Sequence, residues 1–129
     1  MSDNLANTMP FSQMMGVSVT EATNASVIGE IEVREDLCTT GGIMHGGAIM
    51  AFADALGAIG AFLALPAGTK GTTTIESKTN FLGAAPLGEC VIGETKPIKT
   101  GARLSVWQTE IRLENGRQLA LVTQTQLVL

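Results

Sequence analysis

The chain has 129 residues, enough for one compact domain over 1–129 with its own core and too few for two of ordinary size. Apolar residues make up 45% and charged residues 16%, a lean charge for a soluble domain, so part of the surface is expected to lie against another chain. The formal net charge is -4 and the basic residues stand singly, which excludes the basic stripe that a nucleic-acid partner requires.

In chain order, Met1-Ser2-Asp3-Asn4 is polar and acidic and lacks the basic start and apolar run of a secretion signal, so a cytoplasmic location is expected. Pro10, Phe11, Met14 and Met15 stand among polar residues and read as a short helix or turn folding over the core. Residues 17–21 and 26–34 read as two strands joined by a Thr23-Asn24 turn. In the second strand Val27, Gly29, Ile31 and Val33 alternate with Ile28, Glu30, Glu32 and Arg34. Cys38 and Cys90 have neither metal-site spacing nor the density of a disulfide scaffold and are read as reduced thiols; no metal or cofactor is expected.

Residues 46–65 turn to Ala, Gly, Ile, Leu, Met and Phe and stop at Pro66-Ala67-Gly68, the pattern of one long helix. Its length would permit a membrane span. However, it is rich in Ala and Gly and holds the carboxylate of Asp54 near its centre, where insertion would cost about 2.5 to 3.5 kcal/mol. A buried helix inside a small sheet is therefore expected, and no membrane partner. Four further strands are read at 72–81, 89–99, 103–113 and 118–129, with Asn115-Gly116 expected to form a type I′ turn before the last. A single helix covers six strands only if it crosses the middle of the sheet, leaving an edge or face for a second subunit.

The residues suited to chemistry lie at and after the helix start. A carboxylate in so apolar a helix has either a partner or a task, which marks Asp54. His45, the sole histidine, precedes Gly46 and Gly47 and reads as a capping or loop-ordering side chain rather than a base. Unpaired N–H groups and the positive end of the helix dipole suit the amides near Gly46 and Gly47 to a thioester carbonyl oxygen. Asp54 lies nine positions beyond His45, roughly 13 Å along the axis and about half a turn around, so one carbonyl cannot easily meet both ends. Two antiparallel copies of the helix across a dimer interface would bring them together. Gly41-Gly42 lacks the Lys-Ser/Thr of a phosphate loop, and nucleotide binding of that type is rejected.

His45-Gly46-Gly47-Ala48 with Asp54, followed by Asn80-Phe81-Leu82-Gly83-Ala84-Ala85, resembles hotdog-fold thioesterases of the phenylacetate-pathway and 4-hydroxybenzoyl-CoA thioesterase type, over residues 17–129. The resemblance implies an α+β hotdog fold, a six-stranded antiparallel sheet wrapped around one long central helix. It also implies hydrolysis of an aryl- or fatty-acyl-CoA to free acid and coenzyme A. Asp54 would act as nucleophile or as general base for water, the Gly46 amide would bind the thioester oxygen, and Thr74, with Thr73 as a near-register alternative, would assist the carboxylate. His45 joins that catalytic set as the residue at the helix start. Thr39 stands where relatives carry Asn or Gln, and with Gly47, Asn80 and Phe81 it is placed among the substrate-binding residues. Lys99 and Arg103, flanking Thr100-Gly101-Ala102, would meet the coenzyme A phosphates, and two subunits would join edge to edge into a homodimer assembling to a homotetramer. An acyl-CoA hydratase on the same fold and a non-catalytic acyl-CoA-binding module are the competing readings.

Overall fold

The computed structural model describes residues 3–129; the first two residues of the polar N-terminal segment lie outside them. Alternation of period two produces the first hairpin, β1 (Ser18–Ala22) and β2 (Val27–Glu32), with Val27, Gly29 and Ile31 buried and Glu30 and Glu32 exposed. Two short helices, α1 (Asp3–Asn7) and α2 (Pro10–Met15), precede it where the sequence suggested one short helix or turn. Pro10 opens α2 and Gly16, at φ 85°, ends it. After a single 3-10 turn at Glu35–Leu37, the stretch read as a loop contains a small hairpin, β3 (Cys38–Thr39) and β4 (Ile43–Met44).

Helix α3 (Gly46–Leu63) is followed by β5 (Thr72–Phe81), β6 (Cys90–Thr100), β7 (Leu104–Leu113) and β8 (Gln118–Val128). The helix ends two residues earlier than its composition suggests because Pro66 pushes Leu65 out of the helical region. The main sheet has six antiparallel strands in the order β1-β2-β6-β7-β8-β5, so β1 and β5 are its edges. This is the hotdog arrangement: α3 crosses the inner face and presses Phe52, Ala53, Leu56 and Ile59 into a core with Val27, Ile31, Val91, Ile111 and Val122. The helix is long and apolar enough to cross a membrane by length and composition, yet half of that window is buried inside the structure.

One local expectation is corrected. The hairpin at Asn115-Gly116 forms, but among the described residues only glycines have positive φ, and a type I′ turn needs it at both central residues. Instead the Gly116 N–H donates to Leu113 O at 2.9 Å, closing a turn over Glu114 and Asn115. Gly116 then takes φ 92° as the left-handed bulge residue. The Asn115 side chain supports this form by accepting from the Arg117 N–H at 2.9 Å.

Candidate active site

The helix start is set by His45, whose backbone is extended and whose Nδ1 accepts from the Gly47 N–H at 2.8 Å. The imidazole is thus an N-cap, which requires its ring hydrogen on Nε2. Its own N–H donates to Leu37 O, and the Ala48 and Ile49 amides donate back to His45 O. Gly46 consequently has the one first-turn amide to which no hydrogen bond is assigned among the described residues. A side chain at this position would come within 3.2 Å of the Phe81 ring, so Phe81 from the far end of β5 lies close to Gly46. The capping bond engages Gly47 and leaves Gly46 as the donor available to an incoming oxygen.

Asp54 lies two turns further along, half-buried on the side of α3 that also carries half-buried Ala51 and Ala58. Thr74 donates its hydroxyl to Asp54 Oδ1 at 2.8 Å, and Gln124 Nε2 donates to the same oxygen at 3.3 Å. Behind them Gln126 Nε2 donates to Thr74 Oγ1 at 2.6 Å, and Thr72 Oγ1 donates to Gln126 Oε1 at 3.0 Å. The pairing of β5 with β8 shifts register between Thr74 and Glu76, a bulge of the kind that re-aims side chains beside functional sites. Thr74 turns inward there, whereas Thr73 is exposed.

The remaining residues from the sequence reading are more dispersed. Asn80 accepts from Lys78 Nζ at 2.9 Å and is exposed, as is Phe81 beside it at the end of β5. Thr39 is exposed in the small β3–β4 hairpin. Lys99 and Arg103 are exposed at the β6–β7 connection, at the end of the sheet where the Arg103 carbonyl meets the Val128 amide. Beside His45 a cleft of about 320 Å³ is lined by Phe11, Met14, Leu37, Cys38, Gly47 and Ala48 among others, with Asp36 at its polar side. Among the described residues no group of three or more His, Cys, Asp or Glu side chains comes together as a metal site.

Sequence reasoning missed Gln124 and Gln126. Both are fully buried, and both share the inward parity of β8 with Ala120 and Val122. That parity was the available signal, since two amides on the core face of a strand require partners. It missed Gly57 as well. A Cβ there would overlap Gln124 Oε1 and Cδ, so the missing side chain lets Gln124 pass beneath the helix to Asp54.

A profile of the family described as the thioesterase superfamily matches residues 41–120. The chain is 32% identical over 106 residues to 1,4-dihydroxy-2-naphthoyl-CoA thioesterase 2 of Arabidopsis thaliana, a match spanning 82% of this chain and 65% of the plant protein. It is 36% identical over 76 residues to the 1,4-dihydroxy-2-naphthoyl-CoA hydrolase of Escherichia coli, covering 59% of this chain and 54% of the relative. The chain thus spans less than two thirds of these relatives' length. Among solved structures, a thioesterase of Haemophilus influenzae superposes with a TM-score of 0.91 at 22% identity, covering all of this chain and 90% of that one, a likeness of fold.

Proposed function

Because the chain belongs to the thioesterase superfamily, we propose that it hydrolyses an acyl-CoA thioester with Asp54 as the reacting carboxylate and the Gly46 amide as the oxyanion donor. The observation that carries this reading is the hydrogen-bonded setting of Asp54. Two neutral donors hold a carboxylate in an apolar helix, and no cation among the described residues pairs with it. A hydroxyl and an amide orient the carboxylate through one oxygen and leave the other open to a substrate or a water.

Asp54 attacks the thioester carbon or takes a proton from a water that does, and the developing oxyanion is held by the free amide at a helix start. Within one regular helix Gly46 and Asp54 stand about 12 Å apart along the axis, so the amide serving a given Asp54 comes from a second copy. The edge strand β5, ten residues long with Ile75 54% exposed, and the side of α3 carrying Ala51, Asp54 and Ala58 both favour a second subunit there. A homodimer, pairing further into a tetramer, is the assembly this reading requires.

For the acyl group, the naphthoyl-CoA enzymes among the relatives favour an aryl thioester over a fatty one. The cleft beside His45, with Phe11 and Met14 exposed on its wall, suits a flat apolar group. Exposed Lys99 and Arg103 are assigned in this reading to the coenzyme A phosphates. Two unpaired cysteines are compatible with a reducing cytoplasm.

The test is thiol release, followed with a thiol-reactive dye, from aryl- and fatty-acyl-CoA substrates by wild type and Asp54→Asn. Turnover on aryl-CoA that falls by several decades in the variant, with folding retained, is the expected result. Undiminished turnover in Asp54→Asn removes Asp54 from the reaction, and binding without release from any substrate favours the non-catalytic module.

A further inference from the structure

Both hydrogen bonds to Asp54 end on the same oxygen. Thr74 and Gln124 each donate to Oδ1, and no bond among the described residues is assigned to Oδ2. This asymmetry traces to two glutamines of β8. Gln126 sits between two threonines, accepting from Thr72 at Oε1 and donating through Nε2 to Thr74 Oγ1. The opposite amide orientation would set Oε1 against the Thr74 oxygen at 2.6 Å, with the single threonine hydrogen already needed at Asp54. With Nε2 toward Thr74, that oxygen accepts from Gln126 and its hydrogen is committed to the carboxylate. Thr72 shares its one hydroxyl hydrogen between Gln126 Oε1 and the Leu127 carbonyl at 3.1 Å, and from Gln126 the donors run one way, Gln126 to Thr74 to Asp54.

Gln124 provides the independent sign that this order is kept for a task. Its Oε1 is buried without any hydrogen-bond partner, pressed against Gly57, while its Nε2 is turned to Asp54. An orphaned acceptor in a fully buried side chain weakens the fold. It persists here because the amide can offer the carboxylate a donor only in this orientation.

We propose that Gln124 and Gln126 are positioning residues that clamp Asp54 by Oδ1 alone and so reserve Oδ2 for the thioester carbon or the attacking water. This rests on the reading of Asp54 as the reacting carboxylate. Gln126 bonds to Thr72 and Thr74 and not to Asp54; it acts through Thr74, by fixing where the hydroxyl hydrogen points.

Acting through Thr74 has a consequence that mere packing lacks. With the full chain and an aryl-CoA substrate, Gln126→Met lowers kcat about tenfold and leaves KM within about twofold, since the loss falls on orientation and not on binding. In a Thr74→Val background the same change brings no further loss, because the residue it acts through is gone. An unchanged kcat in Gln126→Met, or losses that multiply in the double variant, overturns the clamp. A second readout needs no turnover: the side-chain amide resonances of Gln124 move in Asp54→Ala and those of Gln126 move in Thr74→Val. Resonances that stay in place also overturn it, whether or not the variants of Gln126 fold. A wild type that releases no thiol would remove the catalytic reading of Asp54, and the amide resonances would still decide whether the clamp exists.

Discussion

Gly57→Ala sets two physical effects against each other. In the middle of α3, replacing glycine by alanine should stabilise the helix by about 1 kcal/mol through backbone entropy. The tertiary structure predicts the reverse. The new Cβ would overlap Gln124 Oε1 and Cδ and lie 2.8 Å from Nε2, and Gln124 is fully buried with nowhere to retreat. Overpacking of this kind costs about 1–3 kcal/mol. Displacing the amide also breaks its bond to the Asp54 carboxylate, worth about 1.5–3 kcal/mol for a charged acceptor. After subtracting the helical gain, a net loss of about 1.5–5 kcal/mol remains, which for a chain of this length lowers Tm by roughly 5–20 °C. Thermal unfolding followed by circular dichroism at fixed protein concentration measures it, since an oligomer's Tm depends on concentration. A Tm that rises, as propensity alone demands, would refute the packing of Gln124 beneath Gly57 and with it one arm of the site.

Three other outcomes follow from the same geometry. Gly46→Pro removes the free amide at a position where proline is tolerated, after an extended His45, and turnover should fall about 10²–10³-fold with Tm little changed; Gly46→Ala keeps the amide as its control, and equal kinetics of the two would exclude the amide from the reaction. Ile75→Lys places a charge on the exposed β5 edge and should shift the sedimenting species to the monomer with loss of turnover, whereas a monomeric wild type at full activity refutes the two-subunit site. Burial, reinforced by Glu30, Glu114, Glu32 and Glu89, raises the Cys90 thiol above its ordinary range, so less thiolate is present near neutral pH. Iodoacetamide should alkylate Cys90 more slowly in the folded protein than in the unfolded chain, with the gap closing as pH rises; equal rates throughout would contradict that environment.

The sequence by itself determined the six main strands, the long helix and the candidate site at its start. Period-two alternation in residues 27–32, the Ala- and Gly-rich run from 46, and the glycines at turns depend on local backbone and burial preferences, which neighbouring residues report directly. The motif His45-Gly46-Gly47 with Asp54 was legible for the same reason: an acid in an apolar helix is conspicuous in one dimension. Only the tertiary structure decided what surrounds that acid. The bulge that turns Thr74 inward depends on how β5 pairs with β8, and Gln124 and Gln126 reach Asp54 and Thr74 from positions 70 and 52 residues apart in the chain. Which oxygen of Asp54 is held, and which Gly46 neighbour is capped, are likewise properties of hydrogen bonds that close in three dimensions. Spacing along a sequence fixes distance along a helix; it does not fix what a strand from the other end of the chain places beneath it.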